Sequence, residues 1–355
     1  MKKEKLYLHK NGIPGMLLDI ALDRFGVDIS QFVCWENCND VENLLEPAYP
    51  RAIYIQPGGM NALLQLGVPV NKMGGFGQNI QKLRVLDEQG KILFLADHGL
   101  IEKGFPGMIV KTKDLKELLR EHIPREQGLH NREKAPPPAL SWKIKQHCSG
   151  VLLRIVRGDL KTPTESVIYN GEEISVWISQ VVPGEILFYV TKRFNPAIKK
   201  NSHVLLVNEE HFCKEKLREV SGFYEKYVNY QGEVLEEQWF ELDFIGQRQI
   251  LEKGNIYWGI HSLRLHPLTG QFISHWAGQA EYLASALASR KYSPEQILAK
   301  LQQKNKQIFQ QHLQIIKYYM RPTIFWKLIY HPNAFLLRHS QFFLRRALAR
   351  FALLD

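Results

Sequence analysis

Apolar residues recur along the chain in two rhythms, one helical and one extended. Leu6–Leu8 is a short apolar run, and Asn11-Gly-Ile-Pro-Gly15 follows it. Met16–Phe25 then places Leu17, Leu18, Ile20, Ala21 and Leu22 on one helical face. After Gly26, the stretch Val27–Val33 reads as a second strand. Strand, glycine turn, helix and strand in this order predict a βαβ unit. Gly59–Leu66 reads as a short helix, Lys82–Leu95 as a hairpin turning at Glu88-Gln-Gly90, and Asp114–His122 as a helix. Residues 123–140, with Pro124 and Pro136-Pro-Pro138, read as an exposed connector.

From Val151 to Val207 the rhythm is extended, with strands at Glu173–Val181, Ile186–Thr191 and His203–Val207 and a turn at Pro183-Gly184. A helix over Glu209–Tyr227, a strand over Gln238–Phe244 and a strand over Asn255–Gly259 come next. Ser274–Leu287 and Ser293–Tyr319 are strongly helical. The order is α/β, then mostly β, then α/β again, and it ends in a helical tail. This predicts an α/β protein with a discontinuous nucleotide-binding layout over 1–122 and 250–316. A β-rich domain over 140–249 is inserted in it, and 317–355 forms the tail.

The chain has 355 residues, of which 45% are hydrophobic, and that fraction excludes a disordered chain. Cys34, Cys38, Cys148 and Cys213 form no CxxC pair, so neither a disulfide framework nor a zinc site is expected. No secretory leader and no membrane-spanning apolar run is present, and a cytoplasmic protein is expected. The formal net charge is +10, and residues 317–355 carry seven Lys or Arg against the single acid Asp355. Phe335, Leu336, Phe342, Phe343 and Phe351 lie among those cations. Such a basic amphipathic tail suits an anionic membrane surface or a partner's groove, and equally a terminal helix packed on its own domain. No nucleic-acid-binding pattern accompanies it, and no nucleic acid is expected as a partner.

Three stretches in sequence carry a resemblance: the βαβ unit, Ile53-Tyr-Ile-Gln-Pro-Gly-Gly-Met-Asn-Ala-Leu-Leu-Gln-Leu-Gly67, and Gly254–Gly259 leading through His266-Pro-Leu-Thr-Gly-Gln271 to Ala280–Leu287. Together they resemble the FAD-dependent aromatic hydroxylases, the class A flavoprotein monooxygenases with the para-hydroxybenzoate hydroxylase fold. The resemblance implies a Rossmann-like FAD-binding-type domain with an inserted substrate domain. In register with the family's GxGxxG turn stand Lys10, Gly12 and Gly15, so lysine replaces the first glycine. The acid expected at the end of the next strand falls at Val33, with Glu36 three residues beyond. The family's Arg-x-x-Leu reads Thr112-Lys-Asp-Leu115, leaving Lys111 or Lys113 as a partial replacement. Its Gly-Asp pair reads Gly259-Ile260. Pro267, Gly270 and Gln271 match its later turn, and Phe272 stands where a further glycine is expected.

Loss of four such contacts amounts to about 6–12 kcal/mol if they add. That is enough to turn a nanomolar coenzyme affinity into a millimolar one. One expectation is therefore a protein without FAD held in the standard way, acting on or binding an apolar small molecule, for example as a cofactor-independent cyclase or isomerase. The alternative is an active FAD monooxygenase, using NAD(P)H and oxygen, with rewired flavin contacts through Gly12, Gly15, Pro267, Gly270 and Gln271. A third is a non-catalytic protein that docks a partner or a membrane. Lys10, Arg264 and Phe272 are the candidate substrate-binding residues, since the resemblance places them around the flavin position. His261 and His266 are candidate general acids or bases near neutral pH. Glu241 and Asp243 alternate on a strand and would share one face as candidate acids. No metal site is expected at His261, His266 and His275, whose spacing is not that of a ligand set.

Overall fold

The computed structural model describes residues 6–9, 12–27, 32–35, 51–98, 106–123, 144–147, 150–192, 209–240, 244–252, 255–266 and 272–319. Lys10, Glu36, Glu241, Asp243, Pro267, Gly270, Gln271, the expected strand at 203–207 and nearly all of the tail lie outside these residues.

Helix α1 (Gly12–Arg24) connects β1 (Leu6–His9) to β2 (Phe32–Trp35), and the two strands pair in parallel with Leu6 opposite Phe32. The expected βαβ unit is therefore present, but Val27 is not part of its second strand, whose described residues are Phe32–Trp35. The reason is local. Gly26 takes φ +61°, and the Val27 amide donates back to Leu22 O at 2.9 Å, so both residues serve to end the helix. The same device ends α2 (Pro57–Gln65), where Gly67 has φ +86° and the Val68 amide donates to Leu63 O at 3.0 Å. Pro57 opens that helix at a position where its missing N–H costs nothing.

Three short strands follow the same plan: β3 (Ala52–Ile55), β4 (Gly77–Ile80) and β7 (Gly107–Lys111) form an antiparallel sheet in the order β3-β7-β4. β7 runs into α3 (Thr112–Arg120). Between β4 and β7 lies the expected hairpin, β5 (Lys82–Leu86) and β6 (Ile92–Asp97). Asp87 Oδ1 closes its turn by accepting the amides of Gln89 and Lys91, and Gly90 supplies φ +81°.

The β-rich middle contains β8 (Ile144–His147), β9 (Val151–Leu160), β10 (Glu165–Asn170), β11 (Ile174–Val182) and β12 (Glu185–Lys192). The helix expected over 209–227 is two, α4 (Glu209–Glu219) and α5 (Ser221–Tyr224), divided just before a Ser-Gly pair that favours helix poorly. The strand expected over 238–244 is also two. β13 (Val228–Phe240) ends with Phe240 opposite Val151, whereas β14 (Phe244–Gln247) starts with Phe244 opposite His147 in another sheet. The chain changes sheets at that point. β13, β9, β12, β11, β10, β5 and β6 form one seven-stranded sheet in that order. It thus takes β5 and β6 from the segment assigned by sequence to the nucleotide-binding layout. β13 is its long edge, blunted by ion pairs of Glu233, Glu236 and Glu237 with Arg157, Arg51 and Arg154.

The chain then returns to the first sheet. β16 (Asn255–Tyr257) pairs in parallel with β1, Tyr7 opposite Asn255, and β15 (Leu251–Glu252) flanks it. β17 (Leu263–Arg264) pairs with β14. Helices α6 (Phe272–Ser289) and α7 (Pro294–Tyr319) close the described chain. Three apolar clusters result. The first joins α1, α2, α3, α6 and the start of α7 around Leu17, Leu63, Leu115, Trp276 and Leu301. The second lies on the inner face of the large sheet, with Trp177, Tyr189, Leu153, Leu265, Ile308 and Phe309. The third covers the outer face with Cys213, Leu217 and Tyr224 from α4 and α5. Because both faces of the sheet are buried, β11 and β12 are buried along nearly their whole length, with none of the in–out alternation of a one-sided sheet.

Helices α6 and α7 meet through polar side chains. Gln279 Nε2 donates to Asn305 Oδ1 at 2.7 Å, and the His266 amide donates to His312 Nε2 at 2.7 Å. His275 and His312 are buried, and burial pushes His275 down to about 3, with Lys304 adding to the effect. His312 lies well below the usual histidine range, first through burial and then through His266 and His275. Both are neutral in the folded chain and take up a proton near 6.5 once unfolded. Their contribution is therefore complete above about pH 7 and is lost as pH falls, at roughly 1.4 kcal/mol per histidine per pH unit. Denaturant midpoints at pH 7.5, 6 and 5 are expected to fall steeply, and His275→Gln is expected to flatten that slope while lowering stability at pH 7.5.

Candidate functional site

The first turn of α1 is where a helix presents amide N–H groups that have no partner inside the helix. Gly12 stands there with φ +56°, a conformation suited to glycine, and Gly15 follows within the helix. Pro14 lies between them and removes one amide from the set. The turn Trp258-Gly259 is packed directly onto this proline. Trp258 Nε1 donates to Pro14 O at 2.8 Å, and a Cβ placed on Gly259 would lie 2.3 Å from Pro14 Cβ. Gly259 has φ +60° and continues into a short 3-10 turn through Ile260 and His261. Ile260 packs against the first apolar cluster.

A pyrophosphate held at a helix N-terminus needs free amides and open space before them. Here one amide is missing and the space beside Pro14 is taken by Gly259 and Trp258. Of the other candidate contacts, three are described. Lys111 Nζ lies 2.7 Å from Glu185 Oε2, which ties it to the large sheet. Lys113 is exposed and lies 3.9 Å from Glu117. Phe272 stacks on Trp276 with centroids 5.1 Å apart and packs against both the first and second clusters. Among the described residues, then, the first turn of α1 offers a pyrophosphate one amide fewer and is flanked by Gly259 and Trp258. One correction runs the other way. β2 extends to Trp35, two residues past Val33, so the residue after the strand is the acid Glu36.

Of the candidate acids and bases, His266 is buried at the end of β17, its amide committed to His312. His261 is described only by its backbone turn. Arg264 is partly exposed on β17, opposite Gly246. These positions share one short segment, 259–266, which α7 holds from one side. Asn305 Nδ2 reaches Ser262 Oγ at 3.4 Å, and Gln302 Oε1 accepts the Ile250 amide at 2.6 Å. The nearby Arg248 is buried, with its guanidinium 3.7 Å from the centroid of the Tyr257 ring. Among the described residues no group of three or more His, Cys, Asp or Glu side chains is arranged to hold a metal.

A second constellation lies on the inner face of the large sheet, and the sequence reading did not single it out. Tyr54 of β3 packs edge-on against Trp177 of β11 with centroids 4.9 Å apart. Its hydroxyl lies 3.0 Å from His98 Nε2, and His98 Nδ1 lies 2.7 Å from Ile80 O. The Gly107 amide also approaches Nδ1, at 3.4 Å, but the carbonyl is far closer and accepts only, so Nδ1 carries the proton and Nε2 accepts from Tyr54. Burial lowers the His98 pKa, opposed by Ile80 O and Asp97, and keeps the ring neutral as this arrangement requires. Gly107 permits the approach, since a Cβ there would lie 2.5 Å from Tyr54 Oη. Trp177 sits opposite Tyr189 in the β11–β12 register. Among the described residues, neither Trp177 Nε1 nor Tyr189 Oη has a hydrogen-bond partner. An unpaired buried polar group costs roughly 1–3 kcal/mol, so two side by side call for an explanation. The signal in the sequence was faint: single polar-tipped aromatics inside apolar strands, which also read as core.

No protein-family model matches this chain, and no curated protein matches it by sequence. Solved structures do match it by shape. A single-substitution variant of Klebsiella pneumoniae HpxO complexed with FAD aligns over 98% of each chain, with TM-score 0.67 and 13% identity. The p-nitrophenol 4-monooxygenase PnpA of Pseudomonas putida aligns over 98% of each chain, with TM-score 0.64 and 13% identity. Pseudomonas aeruginosa PqsL in complex with 2-aminobenzoylacetate covers 92% of this chain and 99% of its own, with TM-score 0.63 and 14% identity. The resemblance read from Gly12, Gly15 and the Pro267–Gln271 stretch is thus matched at the level of architecture: the chain has the α/β fold of the FAD-dependent monooxygenases.

Proposed function

We propose that this chain uses a flavin-monooxygenase scaffold to bind and transform an apolar small molecule without FAD held in the standard way. The observation that carries the reading is the contact of Gly259 and Trp258 with Pro14, which occupies the approach to the first turn of α1. A redox-neutral isomerisation or cyclisation needs one group to give a proton and another to take it. Tyr54 and His98 are already joined by such a hydrogen bond, with His98 held in one tautomer by Ile80 O. They supply the acid–base pair in this reading, at the margin of the apolar inner face of the sheet. His261 and His266 remain second candidates on the 259–266 segment.

A second reading, an active FAD monooxygenase with rewired contacts, draws support from β2. That strand ends at Trp35 and brings the acid Glu36 next in the chain, and two of the matching structures are described as an FAD complex and as a monooxygenase. The basic tail adds a further proposal, contact with an anionic membrane surface or a partner. No helix among the described residues is long and apolar enough to cross a membrane.

Flavin titration separates the two enzymatic readings. The purified chain is expected to be colourless and to leave the fluorescence of micromolar FAD unchanged. Pro14→Ala restores an amide and removes the ring beneath Gly259, and Ile260→Asp adds a carboxylate. The double variant is expected to bind FAD at least about tenfold more tightly than the parent, the effect of one or two regained hydrogen bonds. Yellow parent protein that keeps stoichiometric flavin through gel filtration would overturn the proposal.

A further inference from the structure

We infer that the edge of the large sheet at β6 pairs with the same edge of a second copy of this chain, joining two sheets across a two-fold axis. The inference stands apart from the reading of the coenzyme turn. The sheet has two edges, and they are built differently. β13 carries three glutamates paired with arginines and two shifts of register, and both features discourage strand addition. β6 is the terminal strand on the other side, and no described strand pairs with its outer edge. Its sequence, Ile92-Leu-Phe-Leu-Ala-Asp97, has no proline and no charge before its last residue. Ile92 is 49% exposed and Leu95 44%, which places them among the most exposed large apolar side chains described. An apolar strand edge of this kind is a template for a further strand.

A bulge shapes the edge. Ile92 stands opposite Leu86 and Leu95 opposite Arg84, and residues 84 and 86 share one face of β5. Ile92 and Leu95, three apart in sequence, therefore share a face as well, while Leu93 between them is buried in the second cluster. An antiparallel copy centred between residues 93 and 94 sets Ile92 opposite the copy's Leu95, and Leu95 opposite the copy's Ile92. Cross-strand partners lie on one face, so the four exposed side chains meet in one patch. A register shifted by one residue would oppose positions on different faces. Charge favours the same arrangement. Lys91 is exposed and directly precedes the strand, and Asp97 ends it. Antiparallel pairing brings each lysine to the end where the copy's aspartate stands, whereas parallel pairing would set like charges together. The partner these features fit is the chain itself, because a two-fold contact must be self-complementary. His98 follows Asp97 directly, so the seam would also fasten the strand end that carries the hydrogen bond to Tyr54.

One strand edge with four apolar side chains is a small interface, and the dimer is expected to dissociate in the micromolar range. Sedimentation velocity of the full chain from about 2 to 200 µM tests this, with a shift from monomer toward dimer as the expected result. Leu95→Lys sets a cation in the patch of each copy and is expected to weaken association at least about tenfold. Its melting temperature at the lowest concentration should match the parent's, because the side chain is half exposed in the single chain. A second measurement reads the register. Ile92→Cys mixed with Leu95→Cys is expected to give, on oxidation, a disulfide-linked dimer that neither variant gives alone, since each position opposes the other and not itself. A parent that stays monomeric at every concentration, a dimer that Leu95→Lys leaves at full strength, or a cysteine mixture that links no better than either variant alone would each overturn the inference.

Discussion

The seating of Gly259 on Pro14 is the constraint on which the rest of the site depends. It joins the start of α1 to the segment that follows β16, two parts of the chain some 245 residues apart in sequence, through a hydrogen bond from a buried indole and a close glycine approach. Both ends are demanding. Gly259 is held at φ +60° and has no room for a side chain, so any other residue would both strain the backbone and collide with the proline. Helix α7 fastens residues 259–266 through Asn305 and His312, and its Gln302 holds the amide of Ile250. Polar side chains of α7 thus hold the backbone on both sides of β16.

Much of the architecture was legible because it follows from local periodicity and glycine placement. The βαβ unit, the β5–β6 hairpin and the last two helices each carry a pattern that one segment can express alone. The boundaries that differed depend on partners distant in sequence. Val27 looks like the start of a strand by composition, but its amide completes the end of α1. The stretch 238–244 looks like one strand, yet Phe240 and Phe244 answer to different sheets. β5 and β6 join the large sheet only through the parallel pairing of β5 with β10, with Leu83 opposite Ser166, which no local pattern reveals.

The candidate site was legible unevenly and for the same reason. Motif register pointed to Gly12, Gly15 and Gly259, which stand in the first turn of α1 and in the turn packed on it, and to Phe272, which opens α6. What register left hidden was that Pro14, an ordinary helix-opening proline by sequence, is the residue that fills the junction. The Tyr54–His98 pair was equally hidden, since 44 residues separate its members and only the packing of β3 beside the end of β6 brings them to 3.0 Å. Sequence names residue types; topology decides which of them meet.

Buried polar atoms separate architecture from function in this molecule. Around α6 and α7, Gln279, Asn305 and Ser262 satisfy one another, and Gln180 on the large sheet accepts the Leu160 amide while donating to Asp159. Such closed networks hold backbone segments in place and ask for nothing further. Trp177 Nε1 and Tyr189 Oη on the sheet, and Ser274 Oγ, His275 Nε2 and His312 Nδ1 on α6 and α7, are the contrary case: buried, and without a hydrogen-bond partner among the described residues. Phenylalanine at position 189 would keep the ring and remove the unpaired hydroxyl, so stability by itself does not account for that polar tip. Folded proteins tend to keep such locally costly groups where a ligand completes them. On this reasoning the polar tips that no described residue completes, and not the closed networks, are the positions at which a bound molecule would add stability to the folded chain.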